Sequence, residues 1–276
     1  MSAANPAARP DSAVEATPPV FTCADGVAAI RLNRPAFANR IEPADLAGLS
    51  ELFDRIEGDA AIRVLILTGT GKSFSSGYHL GDLQDRMSSQ PAATSQPRRG
   101  NSAFEDTVDK LERLRVPTIC RLNGGVYGGA TDLALACDFR IGDANAQMFM
   151  PAARLGLHYY ESGMVRYVTR LGMNAAKMLF LTARRIDAQE MFRIGYLTSL
   201  CEAGQLDATV DALVKDLSNM APLSVAGMKR AINEIARNEL DRKAFNARAQ
   251  ACALSEDIKE GLRAFHEKRP PRFTGR

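Results

Sequence analysis

The residues best suited to chemistry in this chain sit on two glycine-bearing turns. The first reads Thr68-Gly69-Thr70-Gly71-Lys72-Ser73-Phe74-Ser75-Ser76-Gly77-Tyr78-His79-Leu80, and the second Asn123-Gly124-Gly125-Val126-Tyr127-Gly128-Gly129-Ala130-Thr131-Asp132-Leu133-Ala134. Each follows a strand-like apolar run, Val64 to Leu67 and Thr118 to Leu122. Backbone N–H groups freed at such turns can converge on one point. Two donors aimed at a thioester oxygen form an oxyanion hole, a large contribution in acyl chemistry. Gly129 stands at a predicted helix start, where N–H groups lack intrahelical partners and negative charge is favoured. Asp132 follows three residues later, on the same helical face, and adds a group able to carry a proton. The same residues also have a purely structural reading. The glycines permit tight turns, and an acid in a first helical turn complements the helix dipole.

The elements that must position these turns alternate early in the chain. Val20 to Cys23 and Val27 to Leu32 flank Asp25-Gly26, a hairpin signal. Ile41 to Ile56 has helical spacing, with Pro43 near its first turn. Val64 to Leu67 is wholly apolar, as in a strand buried on both faces. Phe104 to Leu114 predicts a helix, Thr118 to Leu122 a strand, Gly129 to Cys137 a helix, and Asp138 to Gly142 and Gln147 to Met150 two short strands. Beyond Ser162 the period is helical: Gly163 to Leu171, Ala175 to Leu181, Asp187 to Ile194, Leu206 to Met220, Ser224 to Arg237 and Arg242 to Phe265. Strands and helices followed by a helical tail predict an α/β core with a helical appendage. The expected organisation is an arm over residues 1–18, an α/β core over 19–205 and a helical region over 206–276. The polar stretch from Gly81 to Asn101 reads as a lid or a disordered loop.

Composition narrows the function classes. The chain has 276 residues, 46% hydrophobic and 24% charged, which fits a globular protein with a sizeable core. A net charge of +3 without a basic stripe argues against nucleic acid. No apolar run reaches the ~20 residues of a membrane helix, and the Ala- and Pro-rich start lacks the apolar core of a secretory signal. The five cysteines (Cys23, Cys120, Cys137, Cys201 and Cys252) are scattered, as expected of reduced residues in a cytoplasmic protein. His79, His158 and His266 show no ligand spacing with them, so no metal site is expected.

Four segments in order resemble the enoyl-CoA hydratase/isomerase (crotonase) family: Ile30-Arg31-Leu32-Asn33-Arg34-Pro35; Phe74 to Leu80; Asn123 to Asp132; and Glu260 to Phe265 with Glu267-Lys268-Arg269-Pro270. The resemblance covers Phe21 to Arg272. It implies a spiral of β-β-α units, a C-terminal helical trimerisation region, and a homotrimer or dimer of trimers. It also implies an acyl-CoA substrate and no cofactor beyond the coenzyme A of that substrate. The oxyanion donors are then the N–H groups of Tyr78 and Gly129. Ser76, Gly77, His79, Leu80 and Gly128 border the bound thioester, and Lys268 reaches a CoA phosphate, with Arg98-Arg99 and Phe265 as further candidates.

Two departures from the family pattern matter. Asp132 stands where a glutamate is usual, one methylene shorter, as in the dienoyl-CoA isomerases. The second family glutamate, expected after Pro151, is Ala152, which cannot transfer a proton. Hydration of a conjugated thioester needs a base for water and an acid for the α-carbon. Substitutes are sought in Leu157-His158-Tyr159-Tyr160-Glu161-Ser162-Gly163, with Tyr159 and Glu161 the catalytic candidates beside Asp132. The expectation is a hydratase or isomerase. The alternatives are a decarboxylase of a malonyl-type thioester, for which the missing acid is harmless, and a catalytically silent acyl-CoA-binding oligomer.

Overall fold

A computed structural model describes residues 18–79 and 103–276. Most of the expected arm, the 81–101 stretch, Leu80 and Arg98-Arg99 lie outside the described residues. The chain begins with the hairpin β1 (Val20–Ala24) and β2 (Val27–Leu32), turned at Asp25 and Gly26, both at positive φ. Helix α1 (Pro43–Gly58) starts with Pro43 in its first turn and a Glu42/Asp45 capping box. Then come β3 (Val64–Gly69), β4 (Ser73–Ser75), α2 (Ala103–Arg113), β5 (Thr118–Leu122), β6 (Gly125–Tyr127), α3 (Ala130–Ala136), β7 (Phe139–Asp143) and β8 (Gln147–Phe149). The remainder is α4 (Glu161–Thr182), β9 (Ile186–Asp187), α5 (Ala188–Arg193), β10 (Ser199–Cys201), α6 (Leu206–Ser218), α7 (Pro222–Ala236), α8 (Arg242–Leu254) and α9 (Glu256–Glu267).

The strands form two sheets. The larger has the order β1-β2-β3-β5-β7-β10 and is parallel apart from the hairpin. The smaller has the order β4-β6-β8-β9, with only β9 antiparallel. Three times the chain turns from the large sheet straight into the small one: β3 into β4, β5 into β6, and β7 into β8. This is the β-β-α repetition that the family resemblance implies. Ile30, Leu65 and Leu67 pack under Leu49, Phe53, Val108 and Leu111 of α1 and α2, while Val64, Ile119 and Ile141 face Leu206 and Val210 of α6.

Asn123 fixes the crossings. Its Nδ2 donates to the Gly71 carbonyl at 2.7 Å, and its Oδ1 accepts from the Gly69 N–H at 3.1 Å. Gly124, at φ +147°, lets the second crossing pass the first. A Cβ there would lie 2.0 Å from the Lys72 carbonyl oxygen.

Two readings of the sequence need correction. β4 and β6 are strands inside what reads as turn, and β9 and β10 inside helical or connecting sequence, because two or three residues are too short to show a period. The pattern over Arg242 to Phe265 is two helices. Ser255, extended at φ −72°, ψ 157°, ends α8 and caps α9 by accepting from the Ile258 N–H. Gly163 to Leu171 and Ala175 to Leu181 are, as expected, two helical stretches, joined within α4 across a kink where Gly172 adopts the non-helical φ 81°, ψ 160°.

Candidate active site

The small sheet builds one edge of a cavity of about 770 Å³. Residues just beyond β4, β6 and β8 line it, as does Arg185, the last residue before β9. The two glycine turns meet here. Gly77 has φ +102°, and a Cβ on it would fall 2.7 Å from the Tyr127 carbonyl oxygen and 3.3 Å from the Gly129 nitrogen. Only glycine allows this approach. Tyr78 pairs with Ile41 in a parallel bridge: the Ile41 N–H donates to the Gly77 carbonyl and the His79 N–H to the Ile41 carbonyl, both at 2.9 Å. Gly129 caps α3, and its carbonyl accepts from Asp132 and Leu133. Among the described residues no acceptor takes the Gly129 N–H. The backbones of Tyr78 and Gly129 therefore stand side by side on the cavity wall, with Phe104 packed against both.

Asp132 is fully buried one layer beneath that wall. Arg166 grips both carboxylate oxygens, Nε to Oδ1 and Nη2 to Oδ2, each at 3.0 Å. Tyr160 donates its hydroxyl to Oδ2. Tyr160 itself lines the cavity and stacks on Tyr159, with ring centroids 4.3 Å apart. The Tyr159 hydroxyl donates to the Tyr160 oxygen at 3.4 Å. Burial, and then the Asp132 charge, push both phenols well above their ordinary pKa, so they stand protonated.

Arg166 also binds Glu112 at 2.8 Å and Asp109 at 3.1 Å, and Glu112 in turn holds Arg170 and Arg237. Buried charges persist only when paired in this way. Burial opposes the Arg166 charge, but Asp132 and Glu112 outweigh it and keep the guanidinium charged. Burial likewise opposes the Glu112 charge, and the three arginines outweigh it, holding its carboxyl below the ordinary range.

The candidates from the sequence separate spatially. Ser76, Gly77, Tyr78, Gly128, Gly129, Tyr159 and His158 line the cavity, and Asp132 reaches it through Tyr160. His79 turns to Glu42, with Nδ1 2.9 Å from Oε2. Glu161 is the exposed first residue of α4, outside the cavity lining. Lys268 ends α9 in the left-handed conformation at φ 55°, also exposed and outside the lining, as is Phe265. Ala152, 6% exposed, forms part of the wall. Among the described lining residues there is no carboxylate.

Sequence reasoning missed Arg166, Phe104 and Arg185. A signal for Arg166 existed: Glu105, Asp109 and Glu112 recur every three or four residues on the same helix as the apolar Val108 and Leu111, a pattern that calls for a buried cation.

The chain is similar to known proteins over most of its length. Residues 22–276 match the family model described as enoyl-CoA hydratase/isomerase. The chain is similar to a short-chain-enoyl-CoA hydratase of Clostridium acetobutylicum, 32% identical over 88% of this chain and 92% of that protein. It is also similar to a carnitinyl-CoA dehydratase of Proteus mirabilis, 32% identical over 93% and 98%. Among solved structures, an enoyl-CoA hydratase from Bacillus anthracis superposes with a TM-score of 0.80 at 30% identity, covering 94% of this chain and 99% of that one. No helix among the described residues is long and apolar enough to cross a membrane.

Proposed function

This chain belongs to the enoyl-CoA hydratase/isomerase (crotonase) family, and on that premise we propose that it is an acyl-CoA enzyme that moves a single proton on a thioester enolate. The N–H groups of Tyr78 and Gly129 hold the thioester oxygen as it gains charge. The exposed apolar residues Ile232, Ile235, Leu262 and Phe265 of the C-terminal helices support the trimer that the family resemblance implies.

The observation that carries the reading is the Tyr160–Asp132 hydrogen bond at the cavity wall. The phenolic proton of Tyr160 points to Asp132, which leaves an oxygen lone pair for the substrate. As Tyr160 takes a proton from the α-carbon, it passes its own to Asp132, and the relay runs back to return a proton. Neutralising Asp132 is tolerable because Arg166 keeps two other carboxylates, Asp109 and Glu112. One reversible relay suffices to carry a proton from the α-carbon of a 3-enoyl thioester to its γ-carbon, shifting the double bond into conjugation. Hydration needs a second group to activate water, and no carboxylate among the described lining residues supplies one.

The test is ultraviolet absorbance. The wild type is expected to generate the conjugated thioester from a 3-enoyl-CoA and leave crotonyl-CoA intact, and Tyr160→Phe to generate no conjugated thioester. Hydration of crotonyl-CoA at a rate indifferent to Tyr160→Phe would overturn the reading.

A second reading is favoured by Ala152. A malonyl-type carboxylate bound beside it meets no like charge, and its loss as carbon dioxide creates the enolate without a base. Release of carbon dioxide from malonyl-CoA or methylmalonyl-CoA would select this reaction.

A further inference from the structure

The strand order of the small sheet sets cavity residues in a row: Tyr78 beyond β4, Gly129 beyond β6, Ala152 beyond β8 and Arg185 just before β9. Neighbouring strands lie ~4.8 Å apart, so the backbone of Arg185 stands roughly 10 Å along the row from that of Gly129. Its side chain lies over two rings of the wall, with Cζ 5.0 Å from the Phe149 centroid and 5.7 Å from that of Tyr127. Contacts of this kind hold a guanidinium by its flat face and leave its N–H edge open. Among the described residues no carboxylate pairs with Arg185; Glu190 on the next helix is engaged by Arg193 at 2.6 Å. It is the one guanidinium among the described lining residues of a wall without carboxylates.

A planar, oriented cation at the far end of this row matches a carboxylate in two-point geometry. We propose that Arg185 selects thioesters whose short acyl group ends in a carboxylate, the thioester oxygen resting at Tyr78 and Gly129 and the chain passing Ala152. The inference rests on the reading that the cavity holds an acyl thioester. A phosphate of the CoA carrier offers the same anionic oxygens from the opposite end of the ligand, so the test must separate the two.

The experiment is equilibrium binding of glutaryl and pentanoyl thioesters, equal in chain length and without a double bond to shift. Each is prepared on CoA and on pantetheine, which carries no phosphate. The wild type is expected to prefer glutaryl by about tenfold or more on both carriers, the scale of a charge-assisted hydrogen bond. Arg185→Gln abolishes the preference. Arg154→Gln keeps it, since Arg154 lies over the same Phe149 ring, 5.4 Å from its centroid, but outside the cavity lining. Equal wild-type affinity for the two acyl groups overturns the proposal and leaves the acyl-CoA reading standing. Arg185→Gln weakening both CoA thioesters alike, and neither pantetheine thioester, moves Arg185 to the carrier phosphate and also overturns it. Binding of no thioester overturns this proposal and the acyl-CoA reading together.

Discussion

Tyr160 and Asp132 share one hydrogen bond across the boundary between cavity and core: the phenol is on the wall, and the carboxylate is wholly buried behind it. The acid at the start of α3 therefore reaches a substrate only through the phenol, which gives Tyr160→Phe a specific phenotype. The phenyl ring keeps the stack on Tyr159 and the edge contact with Phe104, so thermal stability and KM should change little. Turnover should fall by about 10²- to 10⁴-fold, the usual worth of a positioned proton carrier. Steady-state kinetics on a 3-enoyl-CoA, with a melting curve of the same sample, check both halves.

The proposed oxyanion donors have their own signature. Gly129 lies at φ −57°, which a proline ring accepts, so Gly129→Pro removes the N–H at the cost of a Cβ 3.0 Å from the Phe104 ring, a contact that Gly129→Ala shares while keeping the N–H. The loss of one such donor is worth ~2.7–4 kcal/mol, or about 10²- to 10³-fold in turnover. A variant that folds, by circular dichroism, and turns over at the wild-type rate refutes the role.

The buried ion network makes a stability prediction. Arg166→Met leaves Asp109 and Asp132 without their principal cation, and Glu112 with only Arg170 and Arg237. Breaking a buried pair from one side costs about 3–5 kcal/mol. Urea titration should show that loss, with Arg166→Lys recovering only part of it, because an ammonium cannot grip both Asp132 oxygens.

Glu112 sets the sign of an acid transition. Its carboxyl is held below the ordinary range when folded, so it contributes stability above the unfolded value of about 4.3. That contribution disappears as pH falls through the lower folded value. Stability of the wild type should therefore drop below about pH 4, and Glu112→Gln, though less stable at neutral pH, should show a shallower acid slope. Denaturant midpoints at a series of pH values measure the difference.

Ala152→Glu restores a carboxylate to the cavity wall. If the missing second acid is what bars hydration, this variant should consume crotonyl-CoA about 100-fold faster than the wild type or more, the lower end of the range for one acid–base group. An unchanged rate would place the barrier elsewhere.

Much of this molecule is legible in order of sequence. The hairpin at Asp25-Gly26, the apolar strands Val64 to Leu67 and Thr118 to Leu122, and the two glycine turns are local patterns, and local backbone preferences decide them. The position of Asp132 one turn beyond Gly129 is equally local. The fate of that acid is not. Tyr160 comes to it from 28 residues away and Arg166 from 34, and no period or spacing encodes which side chains meet across such separations. The same holds for Glu161, which reads as a neighbour of the chemistry but faces solvent because α4 begins at that residue. It holds for Arg185 too, which antiparallel pairing of β9 with β8 brings beside Phe149. Local sequence determined the apolar strands β3 and β5 and the glycine turns of the proposed oxyanion site, because short-range sterics and hydrogen bonding suffice for them. Only the packing of α2, α4 and the small sheet decided which groups carry protons and charge, because buried polar atoms must find partners wherever the fold brings them.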